Sequence, residues 1–211
     1  VCPYGSVLNP RPPGAVSVRH NTCQRLADVL VRAFSVLWPD RAVASSTVTF
    51  VGINISSRSP LTGHPSVLSD VIGGGTGAHA DGPGLDGVDT YMANVGLMPV
   101  EVAEVNYSVR VRRTELIEGS GGSGRHAGGR GLRREYEILD RPEIATFYAE
   151  QTDPRFRPVG VEGGADAVPS RITVLDPDGD PLDLPQKVTV ELQPGSVIRI
   201  ETSGGGGYGD G

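Results

Sequence analysis

Glu101 and Glu104 stand three apart in ANVGLMPVEVAEVNY (93–107), at the head of a Val-rich stretch that alternates like a strand. On a regular strand, residues three apart lie on opposite faces. One carboxylate would then accept hydrogen bonds from a neighbouring glycine loop, with Arg125 or Arg130 as donors, and so clamped it would stay ionised. The other would meet solvent or a partner chain. The alternative is that both are surface charges guarding a strand edge. His79 and Asp81, two apart, would share a strand face and suit chelation. No third ligand is spaced to join them, and His20, His64 and His126 are isolated, so no metal site is expected in this chain. DPDGDPLD (176–183) has the aspartates of a calcium loop but not its order. Its Gly179 is fourth rather than sixth and Glu191 is too distant, which leaves a polar hairpin turn. No serine sits in a G-x-S-x-G elbow, and neither cysteine has a base nearby in sequence. Self-sufficient catalytic machinery is not evident.

Glycine is the second source of chemistry. The chain has 30 glycines in 211 residues, about twice the ordinary share, and they cluster at 73–75, 119–131 and 204–207. GGGTGAHADGPGLDG (73–87) has the glycines of a phosphate loop without the G-x-x-x-x-G-K-[ST] pattern or a following helix. It is either a backbone-lined ligand contact or a structural Ω-loop. SGGSGRHAGGRGLRREY (120–136) is either an anion nest armed with Arg125 and Arg130 or a flexible hairpin tip carrying solvated charge.

The elements that must position these residues are mostly strands. One helix is predicted over about 22–38, with Asn21 as N-cap and Gln24 at capping-box spacing. Its stripe of Cys23, Leu26, Leu30, Ala33, Phe34 and Leu37 should face a core, and Pro39 stops it. After it come expected strands at 46–55, 102–116, 135–139, 144–150, 171–175, 187–192 and 197–201, with DPDGDPLD joining 171–175 to 187–192 as a hairpin. The fold class is mainly β with one well-defined α-helix, an antiparallel sandwich- or barrel-like scaffold with long glycine-rich loops. Residues 1–40 form an extended linker plus helix packed on the core, and 41–211 the β-rich region. A net charge of −6 argues against nucleic acid, no apolar run is long enough for a membrane helix, and two cysteines without an export signal suit the cytoplasm. The Val1 start within a Pro- and Gly-rich stretch suggests a split subunit, a processed chain, a fragment or an alternative start codon.

Six passages in fixed order carry a resemblance: LNPRPPGAV with QRLAD, GGGTGA with DGVDTYMAN, PVEVAEVNY, EGSGGSGRHAGGRGLRREYEIL, RPVGVEGGADAVPSR and ETSGGGGYGD. Together they resemble the C-terminal portion of the hydantoinase B/oxoprolinase family, from about residue 5 to the end. The resemblance implies a component of an ATP-dependent cyclic-amide hydrolase working with an ATP-binding hydantoinase A-type chain. A ketone carboxylase subunit of the acetone or acetophenone type, or a non-catalytic assembly subunit, are the alternatives. It places ATP and Mg on the partner, and any divalent metal in an N-terminal half supplied by another chain. Gly74, Gly75, Asp86, Asn94 and Glu101 become substrate-contact candidates, with Arg125 and Arg130 as anion donors. Departures are Glu118 for the usual aspartate, Ala127 where arginine is frequent, Tyr91 where many relatives carry histidine, and an apolar Val95–Met98.

Overall fold

The computed structural model describes residues 2–14 and 19–211; the end of the expected linker, 15–18, lies outside the described residues. The elements in order are α1 (Arg19–Leu37), β1 (Val51–Arg58), β2 (Pro65–Ile72), α2 (Val100–Asn106), β3 (Val109–Leu116), β4 (Leu132–Ile138), β5 (Glu143–Tyr148), β6 (Arg171–Leu175), β7 (Pro181–Asp183), β8 (Lys187–Leu192) and β9 (Val197–Glu201). They build two antiparallel sheets with strand orders β2-β1-β5-β8 and β3-β4-β9-β6-β7. The arrangement is a sandwich, not a closed barrel.

Strand alternation explains the packing. Val51, Ile53 and Ile55 of β1 point the same way as Leu68 and Ile72 of β2 and Phe147 of β5. They share one core with Tyr136, Ile138, Ile172, Val174, Ile198 and Ile200 of the facing sheet. Each fully buried branched side chain there is worth roughly 1.5–3 kcal/mol. β4 is the exception to an apolar interior, because its inward series is Leu132, Arg134, Tyr136 and Ile138. Arg134 meets Asp70, on the inward face of β2, at 3.4 Å, and both side chains are only 2% exposed.

Several expectations need correction. The helix is already formed at Arg19, so Asn21 and Gln24 lie inside it and make no capping box. Its rotation is also reversed: Gln24 and Asp28 are its buried residues, while Leu26, Leu30, Phe34 and Leu37 are exposed. Tertiary hydrogen bonds set that rotation, since the Gln24 side chain accepts from the Met92 amide at 2.9 Å and the Tyr91 hydroxyl donates to Asp28 at 3.3 Å. Glu101 and Glu104 stand on the second helix, α2, not on a strand. Pro99, directly before it, fixes an extended entrance, and Glu101 in the first turn suits the helix dipole. Glu104 accepts the Val111 amide at 2.9 Å and so anchors α2 to β3. The segment before Val51, expected as strand, is buried but pairs with glycine loops instead of a sheet. β2 lacks a strand signal because Pro65, Ser66, Ser69 and Asp70 interrupt its apolar residues. Lastly, the acidic turn pairs β6 with the short β7, while β8 lies in the other sheet against β5.

Candidate functional site

At one end of the sandwich, four loops close around the chain's last residues. Gly75 donates its amide to Ser203 O (3.1 Å), Gly122 to Gly205 O (2.8 Å), and Gly205 to Gly129 O (2.9 Å). Ala78 donates to Gly206 O (2.9 Å), Gly206 to Ser45 O (2.8 Å) and Gly207 to Ala165 O (2.9 Å). Residues 203–207 thus form a central rod hydrogen-bonded on all sides by extended backbone. The glycines are there for closeness. A Cβ at Gly205 would lie 1.8 Å from Thr76 O, and one at Gly75 1.9 Å from Gly129 O. Neither reading of 120–136 describes this: the segment is neither a free nest nor a loose tip. The amides of Gly122, Arg125, His126, Gly128 and Gly129 all bond to backbone carbonyls, and that of Gly131 to the Ser120 hydroxyl.

Beside this layer opens a cleft of about 470 Å³, lined among others by Gly73, Thr76, Gly87, Asp89, Tyr91, Asn94 and Leu97. The loop 88–98 forms its outer wall and is tied at each end. Val88 and Gly74 exchange two backbone bonds (2.7 and 3.0 Å), and the Thr90 hydroxyl donates to Thr47 O (2.8 Å). At the far end the Met98 amide donates to Asp70 (3.1 Å), while Arg134 donates to Met98 O (2.6 Å) and, through Nε, to the Tyr136 hydroxyl (2.8 Å). The Tyr136 hydroxyl in turn donates to Asp70, and burial raises its pKa far enough to keep it protonated. Tyr91 sits at a φ of 56°, in the left-handed region, so the wall turns sharply there. Burial pushes its phenol up to about 12.

Within the cleft, burial raises the pKa of Asp89, opposed by the nearby His20 and by amide hydrogen bonds from Val95 and Thr90. Its Oδ2 is buried without a hydrogen-bond partner. Asp89 belongs to the quoted DGVDTYMAN passage, yet the sequence candidates do not include it. The signal available is a carboxylate three residues after Asp86 in a glycine-punctuated loop.

The sequence candidates divide. Asn94 lines the cleft. Gly74 and Gly75 back it, with their amides already donated to Val88 and Ser203. Asp86 stands on the rim, where Arg130 grips it through its main-chain amide (2.6 Å), Nε (3.0 Å) and Nη2 (2.7 Å), and Arg130 also bonds Glu118. That pairing lowers the Asp86 pKa. Arg125 lies apart, its guanidinium 5.4 Å over the Tyr208 ring. Glu101 is exposed on α2 and does not line the cleft. Neither arginine clamps it, contrary to expectation, because each is already engaged. His79 and Asp81 sit in a turn, where His79 Nδ1 accepts the Asp81 amide at 3.3 Å. Among the described residues no group of three or more His, Cys, Asp or Glu side chains gathers. Cys2 and Cys23 are unbonded, and no helix among the described residues is long and apolar enough to cross a membrane.

Fold and site together define a two-sheet antiparallel sandwich that carries a polar cleft beside a buried layer of glycine backbone. The chain belongs to the hydantoinase B/oxoprolinase family, whose sequence model matches residues 1–211. It is 32% identical over 209 residues to 5-oxoprolinase 1 of Arabidopsis thaliana, covering 98% of this chain and 15% of that protein. It is 30% identical to a protein of Pseudomonas sp. (strain NS671) named for the B component of a D-/L-hydantoinase, covering 100% of this chain and 35% of that one. The solved ATP-dependent caprolactamase from Pseudomonas jessenii superposes with a TM-score of 0.82 at 25% identity, over 100% of this chain and 38% of that chain. The chain thus spans well under half the length of each of these relatives.

Proposed function

We propose that this chain is a component of an ATP-dependent cyclic-amide hydrolase, acting with an ATP-binding hydantoinase A-type chain and with polypeptide that completes the hydantoinase B-type fold. What carries the reading is the family match over all 211 residues, combined with relatives named for oxoproline, hydantoin and caprolactam, each a ring amide. The cleft suits that substrate class. Asn94 offers a donor and an acceptor to an amide N–H and C=O, and Asp89 is the carboxyl lining the cleft that would exchange a proton with the ring. A raised pKa brings a carboxyl closer to the range where it serves as acid and base.

The glycine segments do not fit ATP. A phosphate cradle needs free amides, and those of Gly74, Gly75, Gly122, Gly128 and Gly129 are bonded within the chain. On this reading ATP and its Mg sit on the hydantoinase A-type chain, and any divalent metal on the polypeptide that completes the hydantoinase B-type fold.

The test is co-purification with the neighbouring gene products, followed by ATP hydrolysis measured with 5-oxoproline, hydantoin, caprolactam, and a ketone plus bicarbonate. ATP turnover coupled to opening of a ring amide is expected, and coupling only to the ketone would replace this reading with a carboxylase. The Asp89→Asn variant should assemble normally and lose at least tenfold in kcat. Unchanged turnover would remove Asp89 from the site.

A further inference from the structure

The helix α1 is mounted with its polar side inward. Gln24 and Asp28 are buried and Ser35 Oγ accepts the Val43 amide at 3.1 Å. The opposite arc carries Leu26, Val29, Leu30, Phe34 and Leu37, at 47%, 60%, 58%, 50% and 66% exposure, continued by Val36 and Trp38. Spacings of three, four and seven place these on one continuous surface. Exposed in this way they present on the order of 700 Å² of apolar area, above the ~300–600 Å² of the largest patch on a typical monomer. That is close to the ~800 Å² per partner of a standard interface.

Charge narrows the occupant. In a chain of net charge −6, α1 and the turn after it carry Arg19, Arg25, Arg32 and Arg41 against Asp28 and Asp40. Asp28 is buried, with its pKa raised by that burial, and Arg25 is paired with Glu150 at 2.7 Å. Arg19, Arg32 and Arg41 have no ion pair among the described residues. The rim is basic. A second copy docked about a twofold axis would set like charges against each other.

We propose that this face of α1 seats an apolar surface rimmed by carboxylates, belonging to the polypeptide that completes the hydantoinase B-type subunit. The proposal rests on the reading that the chain works as part of a larger assembly. Placing a photo-crosslinking amino acid at position 34, in the assembly purified from the source organism, tests it. Adducts should map by mass spectrometry to hydantoinase B-type sequence with Asp or Glu flanking the linked residue. Leu30→Glu with Phe34→Glu should leave the isolated chain's melting temperature within a few degrees, since both sites are exposed, yet abolish co-purification. Arg32→Glu with Arg41→Glu should weaken association at least tenfold. Adducts to a second copy, to the ATP-binding chain or to lipid would overturn the surface assignment and leave the assembly reading standing. Normal co-purification of the Leu30→Glu, Phe34→Glu variant would do the same. A parent chain that purifies alone and turns over substrate unaided would sink both.

Discussion

Arg134 shows how one side chain can hold a loop that belongs to the site. Turned inward by the alternation of β4, it bonds Tyr136 and the Met98 carbonyl and faces Asp70 across the sandwich. A buried charge left alone is costly, so Arg134→Met should destabilise the fold by about 3–5 kcal/mol in chemical denaturation. Adding Asp70→Asn should restore a substantial part, because the strain lies in the orphaned carboxylate rather than in the missing guanidinium. A double variant no better than the single would show that Arg134 acts through its hydrogen bonds to Tyr136, Thr114 and Met98 rather than through its charge opposite Asp70. Asp28 makes the opposite case. Burial raises its pKa, with Arg25 and Arg32 pulling the other way. A carboxyl whose folded pKa lies above its unfolded value contributes most at low pH and becomes a liability once ionised. Asp28→Asn should therefore match the parent near pH 3. Its thermal advantage should grow as pH rises through the ordinary carboxylate range and level off above the raised value. An advantage that shrank with pH would mean that the two arginines outweigh desolvation.

Elements defined by a period are legible in the sequence, and elements defined by distant partners are not. β6, β8 and β9 fall where alternation places them, within a β-rich class that the two sheets bear out. The helix α1 is legible but its rotation is not, because an apolar stripe reveals periodicity and not which face the tertiary bonds of Gln24 and Asp28 select. α2 reads as strand since VEVAEV alternates as well as it repeats helically, and only Pro99 and the buried Ala103 mark the helix. The glycine layer has no period of its own. Gly75, Gly129 and Gly205 meet across more than a hundred residues, so glycine density shows that backbones approach closely without showing what they approach. Gly74, Gly75, Asp86 and Asn94 are candidates only through the family resemblance; of these Asn94 lines the cleft, and the amides of Gly74 and Gly75 are spent on Val88 and Ser203. The layer offers a sharp contrast. Gly205→Ala puts a methyl 1.8 Å from Thr76 O, between backbones that cannot yield, and should cost more than ~3 kcal/mol. Gly96→Ala meets nothing within 4 Å and should stay within ~0.5 kcal/mol. Thermal melts of the two variants decide whether glycine serves closeness here.

At the scale of the whole molecule, the chain's last residues behave as interior. β9 runs without a break into 202–209, every residue of which is buried. The rod they form receives or donates main-chain bonds to segments 45–47, 75–78, 122–129 and 159–165, none of which pairs with another sheet strand there. Removing 204–211 would leave those groups buried without partners or force them open to water, at about 1–3 kcal/mol for each one left unsatisfied. The cleft would lose its floor, since Thr76 and Gly87 are held through Gly129 and Arg130, which the rod and its neighbours position. A chain ending at Ser203 should therefore lose its sharp thermal transition and be cut by protease within 73–87 and 120–131, sites protected in the parent. If it melts as cooperatively as the parent, the sandwich folds without the layer, and the glycine segments would be an appendage of the fold rather than half of its support.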